Sequence, residues 1–285
     1  MRSAPAICYN AGRVIGRDSR RPRGLVTIAS SQLLFFLSTV LGEVLVNRLL
    51  AALLVVACVA APVGAQTMLF DFGNTGQQTL IGGWNNVIYA NPDPPPPIDP
   101  VVDNNGNVVA GVTLEVVDQF FINGPPSQLG TESPSGDAAA YPVSATDDYF
   151  FGHSGDFAGA TDNPTGGFKL TGLNQSIVYD FTFFSSRTGV GDLRETAFAV
   201  TGANSGSGLL EPANNDSNVL SIDGIAPDGN GEIYVEVSAG PGNTNGNAFY
   251  YINLMEVNAV VPEPATIGLF ATGLLLAVAA RRRGR

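Results

Sequence analysis

One segment of the sequence carries side chains suited to holding a sugar. In Gly82-Gly83-Trp84-Asn85-Asn86, the only tryptophan of the chain stands beside two planar amides and follows a pair of glycines. An aromatic ring can stack on the face of a pyranose while neighbouring amides exchange hydrogen bonds with its hydroxyl groups. We therefore predict Trp84, Asn85 and Asn86 as candidate carbohydrate-binding residues.

Two arginines could complete such a site. Arg187 and Arg194 flank a glycine-containing loop between two predicted strands, and a guanidinium can hold hydroxyl groups through its several donors. The alternative interpretation is structural: Trp84 would fill the sandwich, and the arginines would pair with Asp192 or Glu195. The sequence leaves both interpretations open.

Catalytic groups are harder to find. His153 is the only histidine and stands beside Ser154, but the sequence contains no Gly-x-Ser-x-Gly motif. A nucleophile, its base and an orienting acid normally come from separate loops, so we predict a solvent-exposed loop histidine. Asp147 and Asp148 are paired carboxylates, but adjacent residues of a strand face opposite sides and could not act together. We expect no enzymatic activity; the alternative is a polysaccharide hydrolase with acids from different strands.

The charges are unevenly distributed along the 285 residues. Residues 66–261 hold only three basic residues, Lys169, Arg187 and Arg194, against 22 acidic ones, for a net charge of −19. A nucleic-acid-binding protein needs several basic contacts to phosphates, so we exclude that class. Both cysteines, Cys8 and Cys58, precede this region, which excludes disulfides, thiolate zinc sites and a cysteine nucleophile from it.

The acidic composition of the predicted exported domain is relevant to calcium binding. A bound Ca²⁺ ion would relieve the self-repulsion of the domain, so a structural calcium is compatible with its composition. The Asp-x-Asp-x-Asp-Gly pattern of a calcium loop is missing, and residues 103–107 and 214–216 are more typical of Asx turns. We assign no metal ligand and expect no cofactor.

The C-terminus has three features in a fixed order. Val261-Pro262-Glu263-Pro264 is followed by an apolar run over 267–280 and by Arg281, Arg282 and Arg283. The run predicts a short transmembrane helix of about 21 Å, with the arginines holding its end in the cytoplasm. This arrangement closely resembles the PEP-CTERM sorting signal. The resemblance implies recognition by an exosortase, a membrane-embedded cysteine transpeptidase of Gram-negative bacteria that make extracellular polysaccharide; the alternative is an ordinary tail anchor.

The N-terminal part contains a secretory signal. Residues 46–65 combine Arg48, an apolar stretch and a small-x-small ending, which predicts export by the Sec translocon and cleavage by signal peptidase between Ala65 and Gln66. We interpret residues 1–45 as a leader upstream of the true translation start. The alternatives are a genuine long leader or an N-terminal membrane helix, and a lipid-modified Cys58.

The middle of the chain predicts an all-β domain over 66–258. Short runs alternate apolar and polar residues between Gly, Pro, Asn and Asp. Their number suits a two-sheet jelly-roll-like β-sandwich. The candidate strands are 68–72, 87–90, 108–121, 145–151, 167–170, 176–186, 195–201, 219–222, 232–237 and 248–257. The proline-rich stretch 91–100 predicts a stiff surface loop, with a proline-motif ligand as the alternative.

Several segments resemble a module common in PEP-CTERM proteins. They are Leu170-Thr171-Gly172-Leu173, the run 179–187, the run 222–233 and the closing run 250–257. Their rhythm is similar to galactose-binding-like and malectin-like β-sandwiches. The resemblance implies an exosortase-sorted cell-surface or matrix protein of the Gram-negative envelope with a non-catalytic sandwich. An exopolysaccharide is the candidate ligand, and a structural matrix protein without a ligand is the alternative.

Overall fold

The computed structural model describes residues 66–88, 95–122, 129–155, 157 and 162–260. The predicted leader, signal peptide and C-terminal helix lie outside these residues. Within the described ranges, no helix is both long and apolar enough to cross a membrane.

The described residues form thirteen strands and two short helical segments. The strands are β1 (Thr67–Gly73), β2 (Trp84–Ile88), β3 (Thr113–Asp118), β4 (Phe121–Ile122), β5 (Phe150–Gly152), β6 (Thr165–Thr171), β7 (Val178–Phe184), β8 (Thr196–Thr201), β9 (Ser205–Leu210), β10 (Leu220–Ile225), β11 (Ile233–Ala239), β12 (Tyr250–Ile252) and β13 (Leu254–Val260). Gly136–Ala140 is a 3₁₀ helix, and α1 spans Val143–Thr146. The predicted all-β fold class is confirmed.

Two five-stranded sheets and one three-stranded sheet enclose the core. The first sheet has the order β10-β7-β13-β1-β2, the second β3-β6-β11-β8-β9, and the third β12-β5-β4. β1 pairs in parallel with β2 and antiparallel with β13. β13 therefore occupies the middle of the first sheet, between β1 and β7.

The core follows from the two-residue period of the strands. Tyr179, Phe181 and Phe183 are buried on the inner face of β7, as the alternation predicted. On β11, Ile233, Val235 and Val237 are fully buried in the second sheet and show the same alternation. The sandwich is thus filled by side chains that the sequence pattern identifies directly.

The segment before β5 differs from the prediction. Residues 145–151 were predicted as one strand, but α1 ends at Thr146 and β5 begins only at Phe150. The segment 136–146 covers the outer face of the first sheet, where Ala138, Tyr141 and Ala145 pack on Phe184 and Leu254. The prediction was wrong because this segment packs on an apolar surface of the sheet. The alternation of apolar and polar residues within one segment does not reveal such packing.

The strand β9 was missed for a different reason. Its sequence Ser-Gly-Ser-Gly-Leu-Leu has glycines at the inward positions and so lacks an apolar period. A methyl group at Gly206 or Gly208 would lie 2.5 Å from Ile222 or Leu220 of β10. Glycine therefore lets β9 approach β10 closely and closes one side of the sandwich.

Candidate functional site

Trp84 lies on β2, the edge strand of the first sheet, and is half-buried. Its ring meets Tyr141 edge-to-face at 6.4 Å and belongs to the apolar cluster beneath the cover segment 136–146. Trp84 therefore packs on the outer side of the first sheet and not between the two sheets. Trp84 as a whole remains partly accessible to solvent.

The amides beside Trp84 are engaged inside the protein. Asn85 is 4% exposed, donates to the carbonyls of Leu69 and Val102, and accepts the N–H of Val102. Asn86 exchanges two hydrogen bonds with the backbone of Thr79. These amides hold neighbouring loops against β2, and their hydrogen bonds favour the structural interpretation over the predicted sugar site.

Arg194 lies against an aromatic surface on the outer side of the third sheet. Its guanidinium carbon is 5.3 Å from the centre of the Phe249 ring and 5.7 Å from that of Tyr251. It donates through Nε to Asp192 at 3.0 Å and through Nη1 to the Tyr251 hydroxyl. The pairing with Asp192 is the structural alternative that the sequence left open.

Arg187 lies near the same aromatic surface. Its backbone N–H donates to the carbonyl of Pro212 at 2.7 Å, and its guanidinium donates to the carbonyl of Thr188. Burial raises the pKa of Tyr251, and the charges of Arg194 and Arg187 both oppose that rise. Arg194 thus contacts Tyr251 directly and Arg187 influences it through its charge, while Trp84 packs in a separate cluster.

His153 is not a surface residue. It is 1% exposed, and its ring stacks on Phe121 with the centroids 5.1 Å apart. Its backbone forms a bridge with Asn163, and Nδ1 lies 2.5 Å from the carbonyl oxygen of Gly155. The prediction of an exposed loop histidine was wrong because aromatic residues distant in sequence enclose the ring.

Three carboxylates are buried where the cover segment meets β1. Asp71 points to the outer face of β1 and accepts the N–H of Thr79, whereas Asp148 accepts the N–H of Asn74. The other carboxylate oxygen of Asp71 and that of Asp148 have no hydrogen-bond partner among the described residues. Asp147 lies beside them, at the C-terminal end of α1.

The environment of these acids disfavours their charged form. Burial raises the pKa of Asp71 to about 7. Burial and the charge of Asp71 raise the pKa of Asp148 to about 8, and burial raises that of Asp147 to about 6. The prediction that Asp147 and Asp148 lie on opposite faces of a strand was wrong, because both follow a helical turn and approach Asp71. The group can retain protons near neutral pH.

The predicted turns account for other oxygen-rich segments. Oδ1 of Asp103 accepts the N–H groups of Asn105 and Asn107 at 2.9 and 2.8 Å, which is an Asx turn. In the described part of the chain, no group of three or more His, Cys, Asp or Glu residues is arranged to hold a metal ion.

A groove of about 470 Å³ lies on the solvent face of the second sheet. Side chains of β8, β9 and β11 line it, and most of them are small. The lining side chains are Ala197, Ala199, Ser207, Leu209, Glu236 and Ser238. Sequence reasoning missed this groove, although alanines at alternate positions of a strand's polar face are a signal for it.

Comparison with known families identifies the C-terminus. A model of the PEP-CTERM protein-sorting motif matches residues 260–283. The match includes the predicted sorting residues Val261 to Pro264 and Arg281 to Arg283, so the predicted sorting signal is confirmed. The comparison with curated proteins finds no match.

Several solved structures share partial similarity with the chain. TmCBM61, solved with β-1,4-galactotriose, aligns with a TM-score of 0.26 and 14% identity over 52% of this chain and 88% of its own. The ANX2 ectodomain of Arabidopsis thaliana gives a TM-score of 0.33 and 11% identity over 53% and 52%. The CBM22-1 xylan-binding domain of Paenibacillus barcinonensis Xyn10C gives a TM-score of 0.25 and 10% identity over 54% of this chain and 84% of its own. The alignment spans about half of the plant ectodomain, and at these scores no ligand is inferred from any of the three.

Proposed function

We propose that the chain is an exported surface or matrix protein whose sandwich binds exopolysaccharide and performs no catalysis. The sorting motif at 260–283 carries the first part, because it implies export to the cell envelope and processing by an exosortase. The binding activity is the finer part of the proposal and depends on the geometry of the sandwich.

The groove on the second sheet supports glycan binding. Its volume lies within the range of ligand-binding sites, and its open form admits a chain that enters and leaves along the sheet. Ser207, Ser238 and Glu236 present oxygen atoms to sugar hydroxyls, and Ala197 and Ala199 leave space for a ring. Each hydrogen bond to a sugar replaces one to water and contributes only about 0.5 to 1.5 kcal/mol.

The surface near Trp84 is the second candidate glycan site. Its half-buried ring still offers a partial stacking face, but Asn85 and Asn86 are occupied by backbone groups. Arg194 contacts a different aromatic cluster and would have to act without the tryptophan. The groove is therefore the better supported site.

Titration calorimetry with the host's exopolysaccharide tests the groove. We expect the exported chain to bind with a dissociation constant between about 1 mM and 1 μM per site. Ala199→Trp should fill the groove and abolish binding, whereas Val117→Trp, on the solvent face of β3 in the same sheet, should bind normally. Trp84→Ala should also bind normally. Binding lost in Trp84→Ala but kept in Ala199→Trp would place the glycan at the other site.

The same preparations test the absence of catalysis. Asp71 and Asp148 are 2% and 3% exposed, so these carboxylates are not accessible to a polysaccharide. Incubation with exopolysaccharide should release no new reducing ends. Release of reducing ends would support a hydrolase, and a wild type that binds no glycan would support a structural matrix protein.

A further inference from the structure

The sorting motif begins inside the folded sandwich. Its match starts at Val260, which is the last residue of β13 and still pairs with Val178 of β7. Pro262 follows two residues later, so the triplet Pro262-Glu263-Pro264 begins within about 7 Å of the end of the strand. No spacer separates the domain from the segment that the processing enzyme recognises.

The last residues of β13 are firmly held in the sheet. The N–H of Ala259 donates to the carbonyl of Gln66 at 2.8 Å, and the Thr67 hydroxyl donates to the Asn258 side chain at 2.6 Å. Ala259 is 3% exposed and belongs to the core. On its other side, β13 pairs with β7 through to Val260.

The triplet itself offers few main-chain contacts to an enzyme. Proline has no backbone N–H, so Pro262 and Pro264 leave only Glu263 as a donor within the triplet. An enzyme that binds an extended peptide takes much of its affinity from main-chain hydrogen bonds. It must therefore use residues beside the triplet, and on the N-terminal side those residues are Val261 and then the last residues of β13.

From this conflict we propose that residues 258–260 are part of the surface bound by the exosortase and must leave the sheet for processing to occur. This inference rests on the sorting function proposed above. A backbone N–H cannot serve the β1–β13–β7 ladder and an enzyme at the same time, so folding of the sandwich competes with recognition of the sorting signal. Processing then occurs at the rate set by opening of the end of β13.

The two predicted processing points also lie at one end of the same strand pair. β1 begins one residue after the predicted cleavage point between Ala65 and Gln66, and Thr67 pairs with Asn258 near the end of β13. Antiparallel strands bring the start of one beside the finish of the other. The sandwich can therefore complete its fold while both ends of the chain are held at the same membrane.

A spacer inserted after Val260 tests the competition. The full chain is expressed in its native host, and conversion of precursor to mature protein is followed by pulse-chase immunoblotting. Six residues of Gly-Ser inserted between Val260 and Val261 should accelerate processing by about tenfold, which corresponds to releasing one or two net hydrogen bonds. The same insertion after Gly229, in an exposed turn, is the matched control and should leave the rate unchanged. Equal rates for the two insertions would overturn the proposal.

A reversible disulfide that holds β13 in the sheet tests the proposal in the opposite direction. Thr67 and Asn258 are directly paired across β1 and β13, and the predicted mature chain has no cysteine. The double variant Thr67→Cys with Asn258→Cys can form a disulfide that holds the end of β13 in the sheet. Host membranes should process the oxidised variant at least about tenfold more slowly than wild type, and reductant should restore the rate without affecting wild type. Unchanged processing of the oxidised variant would contradict the inference.

A third variant separates this inference from the sorting function itself. Deletion of Pro262 to Pro264 should abolish processing with or without the spacer. If the deleted chain were still processed, the exosortase function would be wrong. If the deletion abolished processing but the spacer and the disulfide had no effect, the sorting function would be supported and the proposed role of β13 would be wrong.

Discussion

Replacing Asp71 by asparagine should remove a large part of the pH dependence of folding. Asp71 is 2% exposed, and its pKa is raised by burial from 3.8 to about 7. Thr79 donates a hydrogen bond to one carboxylate oxygen, while the other has no partner among the described residues. An asparagine side chain has nearly the same shape but cannot ionise.

The direction of the pH dependence follows from which state of the protein, folded or unfolded, keeps the Asp71 proton. Above pH 3.8 the unfolded chain loses the Asp71 proton, whereas the folded chain retains it up to about pH 7. The free energy of unfolding therefore falls as the pH rises through this interval and levels off above it. The slope is about 1.4 kcal/mol per pH unit and falls to half of that at pH 7, so wild type should lose about 2 kcal/mol relative to Asp71→Asn between pH 5 and pH 7. Because the charge of Asp71 also raises the pKa of Asp148, the remaining pH dependence of the variant should shift to lower pH.

Urea unfolding of residues 66–260 at half-unit steps from pH 5 to pH 9 measures this difference. All samples contain EDTA, so that divalent cations do not contribute to the measured pH dependence. Asp228→Asn is the matched control: backbone hydrogen bonds from Glu232 and Asn230 lower the pKa of Asp228, so both states are ionised above pH 5. Its difference from wild type should stay constant. The reasoning would be refuted if, as the pH rises, the stability of wild type increased relative to that of Asp71→Asn or changed in parallel with it.

Three other substitutions test the packing, each by urea unfolding of the same residues. Phe181→Ala should cost about 3 to 5 kcal/mol, because the ring is fully buried between the sheets; a cost below about 1 kcal/mol would contradict its place in the core. Gly83→Ala should destabilise the start of β2, since its methyl group would lie 1.7 Å from a backbone carbonyl oxygen, whereas Gly191→Ala, with open space around it, should be well tolerated. Tyr141→Phe should cost about 1 kcal/mol by removing the 2.9 Å hydrogen bond to Glu256, and an unchanged stability would mean that the cover segment is not held there.

The sequence predicted the parts of the fold that depend on local periodicity. Side chains alternate across a strand every two residues, so the inner faces of β7 and β11 could be read from Tyr179 to Phe183 and from Ile233 to Val237. The sorting signal could be predicted for a similar reason, because its triplet, apolar run and arginines are contiguous in the chain.

The candidate site residues show where this local information ends. Trp84 was selected for its residue type, and residue type does not reveal that Tyr141 packs against its ring. The amides of Asn85 and Asn86 suit a sugar as well as they suit the backbone of Val102 and Thr79. Only the packing of loops against β2 decided between these partners.

Tertiary structure alone decided the environment of the ionisable groups. Asp71 and Asp148 are far apart in sequence, and their coupling arises where the cover segment crosses β1. His153 is buried because Phe121 on β4 and Phe249, just before β12, lie against its ring. Local sequence sets which way a side chain points from its own strand. Solvent access, pKa and the choice of hydrogen-bond partner depend on which distant segments come to lie beside it, and these are fixed only when the sheets pair and pack.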